Sequence, residues 1–150
     1  MPPRVLLVEP DPVITDDVLQ AARAIASVEH QAGFAEARPR LIDAAFEFLI
    51  TNLRLGEFNG LHLVHLAAGL EQPPRCIVYT DTHNILLGQE VQRAGAFYEV
   101  ASTLPVTLSA YISGNLPTAD RRDLTRLDRR AQFRGGRRCW DEHVMHAGGA

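Results

Sequence analysis

A chain of 150 residues, 46% hydrophobic and 22% charged, is long enough for one domain with a buried core and too apolar for a disordered protein. It contains no run of about 18 apolar residues, which excludes a membrane-spanning helix, and only two cysteines, Cys76 and Cys139, too few for a disulfide scaffold. All 15 basic residues are arginine, closing any mechanism that needs lysine, and the charge is divided: residues 1–112 carry 7 Arg against 13 Asp and Glu (net −6), residues 113–150 carry 8 against 5 (net +3).

Val5-Leu6-Leu7-Val8 is a continuous apolar run, the pattern of a strand buried on both faces. It is shorter than the roughly 7–15 residues of a signal-peptide core, so a cytoplasmic location is expected. Pro10-Asp11-Pro12 breaks it, with Asp11 placed to cap the next helix and Pro12 at its first position. Val13, Ile14, Val18, Leu19, Ala22 and Ile25 then recur at helical spacing. A weaker strand is predicted near Val28 to Phe34, a helix over Ala35 to Ala45 with Pro39 in its first turn, and a third strand over Phe46 to Thr51. Asn52 to Asn59 reads as a loop turning at Gly56. Gly60 to Leu70 reads as a helix stopped by Gly69 and Pro73-Pro74. Cys76 to Tyr79 is a further apolar strand, and His83 to Ala94 a helix ended by Gly95. Ala96 to Val100 is a short fifth strand, and Pro105 to Ile112 begins a last helix that Gly114 and Pro117 end.

Five strands alternating with five helices predict an α/β fold over residues 1–112, with a parallel sheet covered on both faces. In such sheets, sites form outside the carboxyl ends of the strands. Those ends are Glu9 to Asp11, Asn52, Thr80 and the region after Tyr98, which places the residues of interest in one crevice. From Ser113 onward the periodicity is lost, and residues 113–150 read as an Arg-rich tail, flexible or docked on the body.

The residues at those strand ends resemble the response-regulator receiver domain family over about residues 4–112. Arg4-Val-Leu-Leu-Val-Glu-Pro-Asp11 is similar to the family's first strand, which ends in a pair of acids. Asn52-Leu-Arg-Leu-Gly-Glu-Phe-Asn-Gly-Leu61 is similar to its Asp-Leu-x-Leu-Pro-x-x-Asp-Gly-Leu segment. Ile77-Val-Tyr-Thr80 resembles its fourth strand, and Ala94-Gly-Ala96 its Gly-Ala turn. The resemblance implies a flavodoxin-like, doubly wound five-stranded sheet in the order 2-1-3-4-5, followed here by a C-terminal extension.

The family's chemistry is phosphorylation of an aspartate with Mg²⁺, and the match fails where that chemistry resides. Asn52 stands at the acceptor position, and an amide has no carboxylate oxygen with which to form an acyl phosphate. Glu9 keeps one acid of the pair and Pro10 replaces the other, with Asp11 next along. The lysine position falls at Ala101 with a one-residue gap after Ala96, or at Ser102 without it. The gapped alignment is preferred because it sets Tyr98 at the family's aromatic switch position. Thr80 and Tyr98 retain the switch positions. One acid, or two with Asp11, makes a poor Mg²⁺ site, so neither metal nor cofactor is expected. The residues read as a pseudo-receiver.

Other patterns weigh less. His62 and His65 lie three apart on one helix, a spacing that can share a metal, but no third ligand is near. Cys139, His143 and His146 could chelate Zn²⁺ but lack a fourth ligand. Arg129-Arg130-Ala-Gln-Phe-Arg134 fits the Arg-Arg-x₃-Arg pattern of PilZ domains without the rest of that fold. These arginines, with Arg137, Arg138, Phe133 and Trp140, suit phosphate contact and stacking. No Walker or dinucleotide fingerprint and no nucleophile–base arrangement occurs.

The expectation is a stand-alone, non-enzymatic module of two-component signal transduction that acts by phosphorylation-independent protein contact. The resemblance implies a partner or homodimer surface over roughly residues 83–112. The alternative is nucleic-acid or nucleotide binding through the tail arginines.

Overall fold

A computed structural model of the chain describes residues 1–114, 116–117 and 119–125. The chain divides into two compact units, Met1–Asp120 and Arg121–Ala150. The expected tail residues Arg129, Arg130, Arg134, Arg137 and Arg138, and the Cys139/His143/His146 cluster, lie outside the described residues.

The first unit is a parallel sheet with helices on both faces. β1 (Arg4–Val8), β2 (Ser27–Gln31), β3 (Phe48–Asn52), β6 (Arg75–Thr80) and β7 (Phe97–Val100) form five strands in the order β2-β1-β3-β6-β7. All neighbours are parallel, with Val8 opposite Thr51, Asn52 opposite Tyr79 and Tyr79 opposite Glu99. Counting only these strands, this is the doubly wound 2-1-3-4-5 order that the resemblance implied. The central strands carry no alternation because both faces are covered: Val5, Leu6, Leu7 and Val8 are all fully buried.

Alternation still decides which side chain meets which helix. Val5, Leu7, Phe48, Ile50, Ile77, Tyr79 and Phe97 share one core with Val18, Leu19 and Ala22 of α1 (Pro12–Ala22) and Leu104, Leu108 and Tyr111 of α5 (Leu104–Ser113). The intervening residues face α2 (Phe34–Asp43), α3 (Gly60–Ala68) and α4 (Ile85–Arg93). Asp11 caps α1 as expected, its Oδ1 accepting from the Val13 N–H at 2.8 Å, with Pro12 following. Val13 itself is 68% exposed, and Thr15 takes its expected place on the inner face.

Three local expectations are corrected. Phe34 begins α2 rather than ending a strand: β2 stops at Gln31, and Gly33 occupies the N-cap of the helix. Pro39 lies inside α2, beyond its first turn. It is exposed there, so the Ala35 carbonyl that loses its helical donor can be met by water. The segment read as a loop from Asn52 holds a two-stranded antiparallel hairpin, β4 (Arg54–Leu55) and β5 (Phe58–Asn59), turned at Gly56 with φ +70°. The next residue, Gly60, is confined by packing: a Cβ there would sit 2.5 Å from the Asn52 carbonyl oxygen, so only glycine lets α3 start this close to the end of β3.

Candidate functional site

A row of buried residues crosses the carboxyl end of the sheet on its α1/α5 side. It comprises Glu9, Asn52, Tyr79 and Glu99. Glu9 is 1% exposed, an unusual place for a carboxylate unless its oxygens are satisfied. They are. Oε1 accepts from Asn52 Nδ2 at 2.8 Å and from the Tyr79 hydroxyl at 2.7 Å, and Oε2 accepts from the Asp11 N–H at 2.8 Å. The orientation of the Asn52 amide follows from its partners. A carboxylate accepts only, so Nδ2 faces Glu9, while Oδ1 accepts from the Arg54 N–H at 3.0 Å. Burial, reinforced by the charge of Glu9, pushes the Tyr79 hydroxyl above its usual range, and it keeps its proton and remains a donor.

Glu9 is thus the centre of a hydrogen-bonded network. Asn52 is buried beside it and presents an NH₂ group, not an oxygen, to the centre of the site. Pro10 and Asp11 are exposed, and the Asp11 side chain is turned to the helix N-terminus. A Mg²⁺ ion takes oxygen ligands. Here three protein donors already engage the two oxygens of Glu9. Among the described residues, no group of three or more His, Cys, Asp or Glu side chains gathers to hold a metal. His62 packs edge-on against the stacked rings of Phe34 and Phe58, at 6.0 Å from each.

Thr80 and Tyr98 are brought together on the opposite side of the sheet. Their hydroxyls lie 2.6 Å apart, both residues being buried. The Thr80 hydroxyl donates to the Thr82 carbonyl at 2.6 Å, and the Asn84 N–H donates to the Tyr98 oxygen at 2.9 Å. The proton between the two hydroxyls therefore comes from Tyr98. The chain of donors runs from Asn84 through Tyr98 and Thr80 to Thr82, and it ties the tyrosine ring inward. His83 lies against that ring, 5.7 Å between centroids. Ala101 is half-buried directly after β7, its N–H donating to the Thr80 carbonyl at 2.9 Å. Asn52, Arg54, Thr80, Asp81 and Asn84 line a cleft of about 240 Å³ at the carboxyl ends of β3 and β6. Asn52 and Thr80 thus border the cleft, and Glu9, Tyr98 and Ala101 adjoin them through hydrogen bonds, on two sides of the sheet.

Sequence reasoning overlooked Tyr79, which read only as one residue of an apolar strand. The signal was its parity. Tyr79 stands opposite Asn52 and lies on the same face as Glu9, so a phenol there points at both.

No family model and no curated protein matches the sequence. Comparison of structures does find likenesses. The chain is similar to a CheY-like response-regulator receiver domain protein from Methanospirillum hungatei JF-1, with 23% identity and a TM-score of 0.68 over 75% of this chain and 92% of that one. It is similar to the chemotaxis protein CheY4 of Vibrio cholerae, with 22% identity and a TM-score of 0.69 over 77% of this chain and 100% of that one. A third likeness is to the signal receiver domain of a putative Luxo repressor protein from Vibrio parahaemolyticus, at 18% identity and TM-score 0.66 over 75% and 92% of the two chains. With the strand order and the crevice described above, these likenesses show that residues up to the end of α5 have the fold of response-regulator receiver domains.

Proposed function

We propose that the protein is a signalling module of the receiver kind that has given up phosphoryl transfer and works, without enzymatic activity, by contact with a protein partner. The observation that carries this reading is the bond from Asn52 Nδ2 to Glu9 Oε1. It puts an amide donor where a phosphorylatable site needs a nucleophilic carboxylate, and it uses the remaining acid as an internal acceptor. With Pro10 and Ala101 at the other two chemical positions, nucleophile, second metal acid and cation are all absent. The Thr80–Tyr98 pair supports a locked rather than a phosphate-driven conformation, because the tyrosine is held by two protein partners with no phosphoryl group required. The partner surface of this reading is the region 83–112, where Leu86 on α4 and Val106 on α5 leave 74% and 81% of their surface exposed.

The test is intact-mass measurement after incubation with a small-molecule phosphodonor and Mg²⁺. The unaltered chain is expected to gain no phosphoryl group, and neither is N52D alone, because Pro10 and Ala101 still lack the second acid and the cation. A variant carrying N52D, P10D and A101K is expected to gain one. A phosphoryl adduct on the unaltered protein would sink the reading.

A further inference from the structure

Beyond α5 the chain stays with the domain instead of leaving it. Leu116 packs against the core that α1 and α5 share. Arg75, the first residue of β6, donates Nη1 to the Leu116 carbonyl at 2.8 Å and to the Pro117 carbonyl at 2.5 Å. Asp120 is 7% exposed and sets its Oδ2 3.1 Å from the backbone N–H of Tyr98.

The position of that N–H gives the contact its meaning. Among the described residues, β7 is the last strand of the sheet and pairs with β6 on one side only. The Ala101 N–H reaches inward to Thr80. Backbone donors alternate along a strand, so the Tyr98 N–H, three residues earlier, points out of the sheet. It is a group with which an added strand would pair, and open edges of this kind invite pairing with another chain. The helices on either side of β7 in sequence carry the exposed side chains Leu86 and Val106, which would flank such a pairing. An edge with apolar flanks is self-complementary when a second copy is turned about a two-fold axis.

We propose that Asp120 is an edge guard. Its carboxylate occupies the outward N–H of β7, Arg75 anchors the segment that delivers it, and together they keep a second copy of this chain from adding to the sheet. The proposal does not depend on the reading of Asn52, since it involves no phosphate, although Leu86 and Val106 also lie on the partner surface of that reading.

The full chain and its D120A variant are compared by amide hydrogen exchange and by sedimentation over a range of protein concentrations. A hydrogen bond to a charged group contributes enough that the Tyr98 amide should exchange about tenfold faster, or more, in the variant. The Glu99 amide, directed into the sheet, should be unchanged and reports that the variant is folded. The variant should form dimers as concentration rises while the unaltered chain stays monomeric. D120N keeps an oxygen acceptor without the charge and should fall between the two. An unchanged Tyr98 exchange rate overturns the contact. Faster exchange in a chain that stays monomeric, or an unaltered chain that already dimerises through β7, overturns the guarding role.

Discussion

At the residue scale, the feature that sets this crevice apart is the way one buried carboxylate is satisfied. Glu9 is 1% exposed and takes three donors from three different segments. Removing any of them leaves a lone pair of an ion unmet inside the protein, which costs more than the net worth of an ordinary hydrogen bond. The Tyr79 hydroxyl is the cleanest to remove, because phenylalanine keeps the ring and its packing. Y79F is expected to lower stability by about 1–3 kcal/mol at neutral pH, read as a shift of the urea midpoint with an unchanged slope. A variant as stable as the parent would show that Glu9 does not depend on the phenol. The place of Asn52 at the carboxyl end of a strand was legible from the sequence, since that needs only the apolar run before it. Its amide orientation was not legible, because that depends on Glu9, just after β1, and on Arg54 of the hairpin.

At the element scale, capping and periodicity located most helices and strands. Phe34 and the β4–β5 hairpin are cases in which a tertiary contact outweighs local preference, whereas Pro39 is accommodated inside α2 because it is exposed. Phe34 stacks on Phe58 at 4.4 Å, and that ring lies on a hairpin that the sequence presents as a loop around Gly56. The edge strand β2 is tied to α2 by Arg40, whose Nε and Nη2 donate to the two Glu29 carboxylate oxygens at 2.6 and 2.9 Å. The guanidinium holds the Glu29 carboxyl below its usual range. A carboxyl with a lowered folded pKa adds stability at pH values above its unfolded pKa, and that stability is lost as pH falls through the folded value. The pair is partly solvated, so the contribution is small. E29Q should cost less than about 1 kcal/mol at pH 7, and the difference from the parent should vanish in acid. Thermal melts at the two pH values would check it, and a difference that persists in acid would contradict the ion-pair account.

At the scale of the whole molecule, the chain divides into two compact units after Asp120, so Leu116, Pro117 and Asp120 belong with the first. This bears on any truncation meant to separate body from tail. Deleting 126–150 removes six of the eight tail arginines and keeps Asp120, and it should leave the stability of the body within about 0.5 kcal/mol of the full chain. Deleting 113–150 also removes the carbonyls that Arg75 holds and the carboxylate on Tyr98, and it should cost about 1–3 kcal/mol more. Chemical denaturation of the three chains distinguishes them. Partner binding that survives the shorter deletion favours contact through the body, while binding lost with residues 126–150 favours the tail arginines. The sequence by itself determined the class of fold and the strand ends that make the crevice. Each of these is written in the identity and spacing of neighbouring residues. Tertiary structure alone decided that Glu9 is bound by Asn52 and Tyr79, that Tyr98 is tied inward to Thr80, and that Asp120 returns to the edge of β7. Those contacts join residues 18 to 70 positions apart, and only strand register and packing bring such pairs within reach of one hydrogen bond.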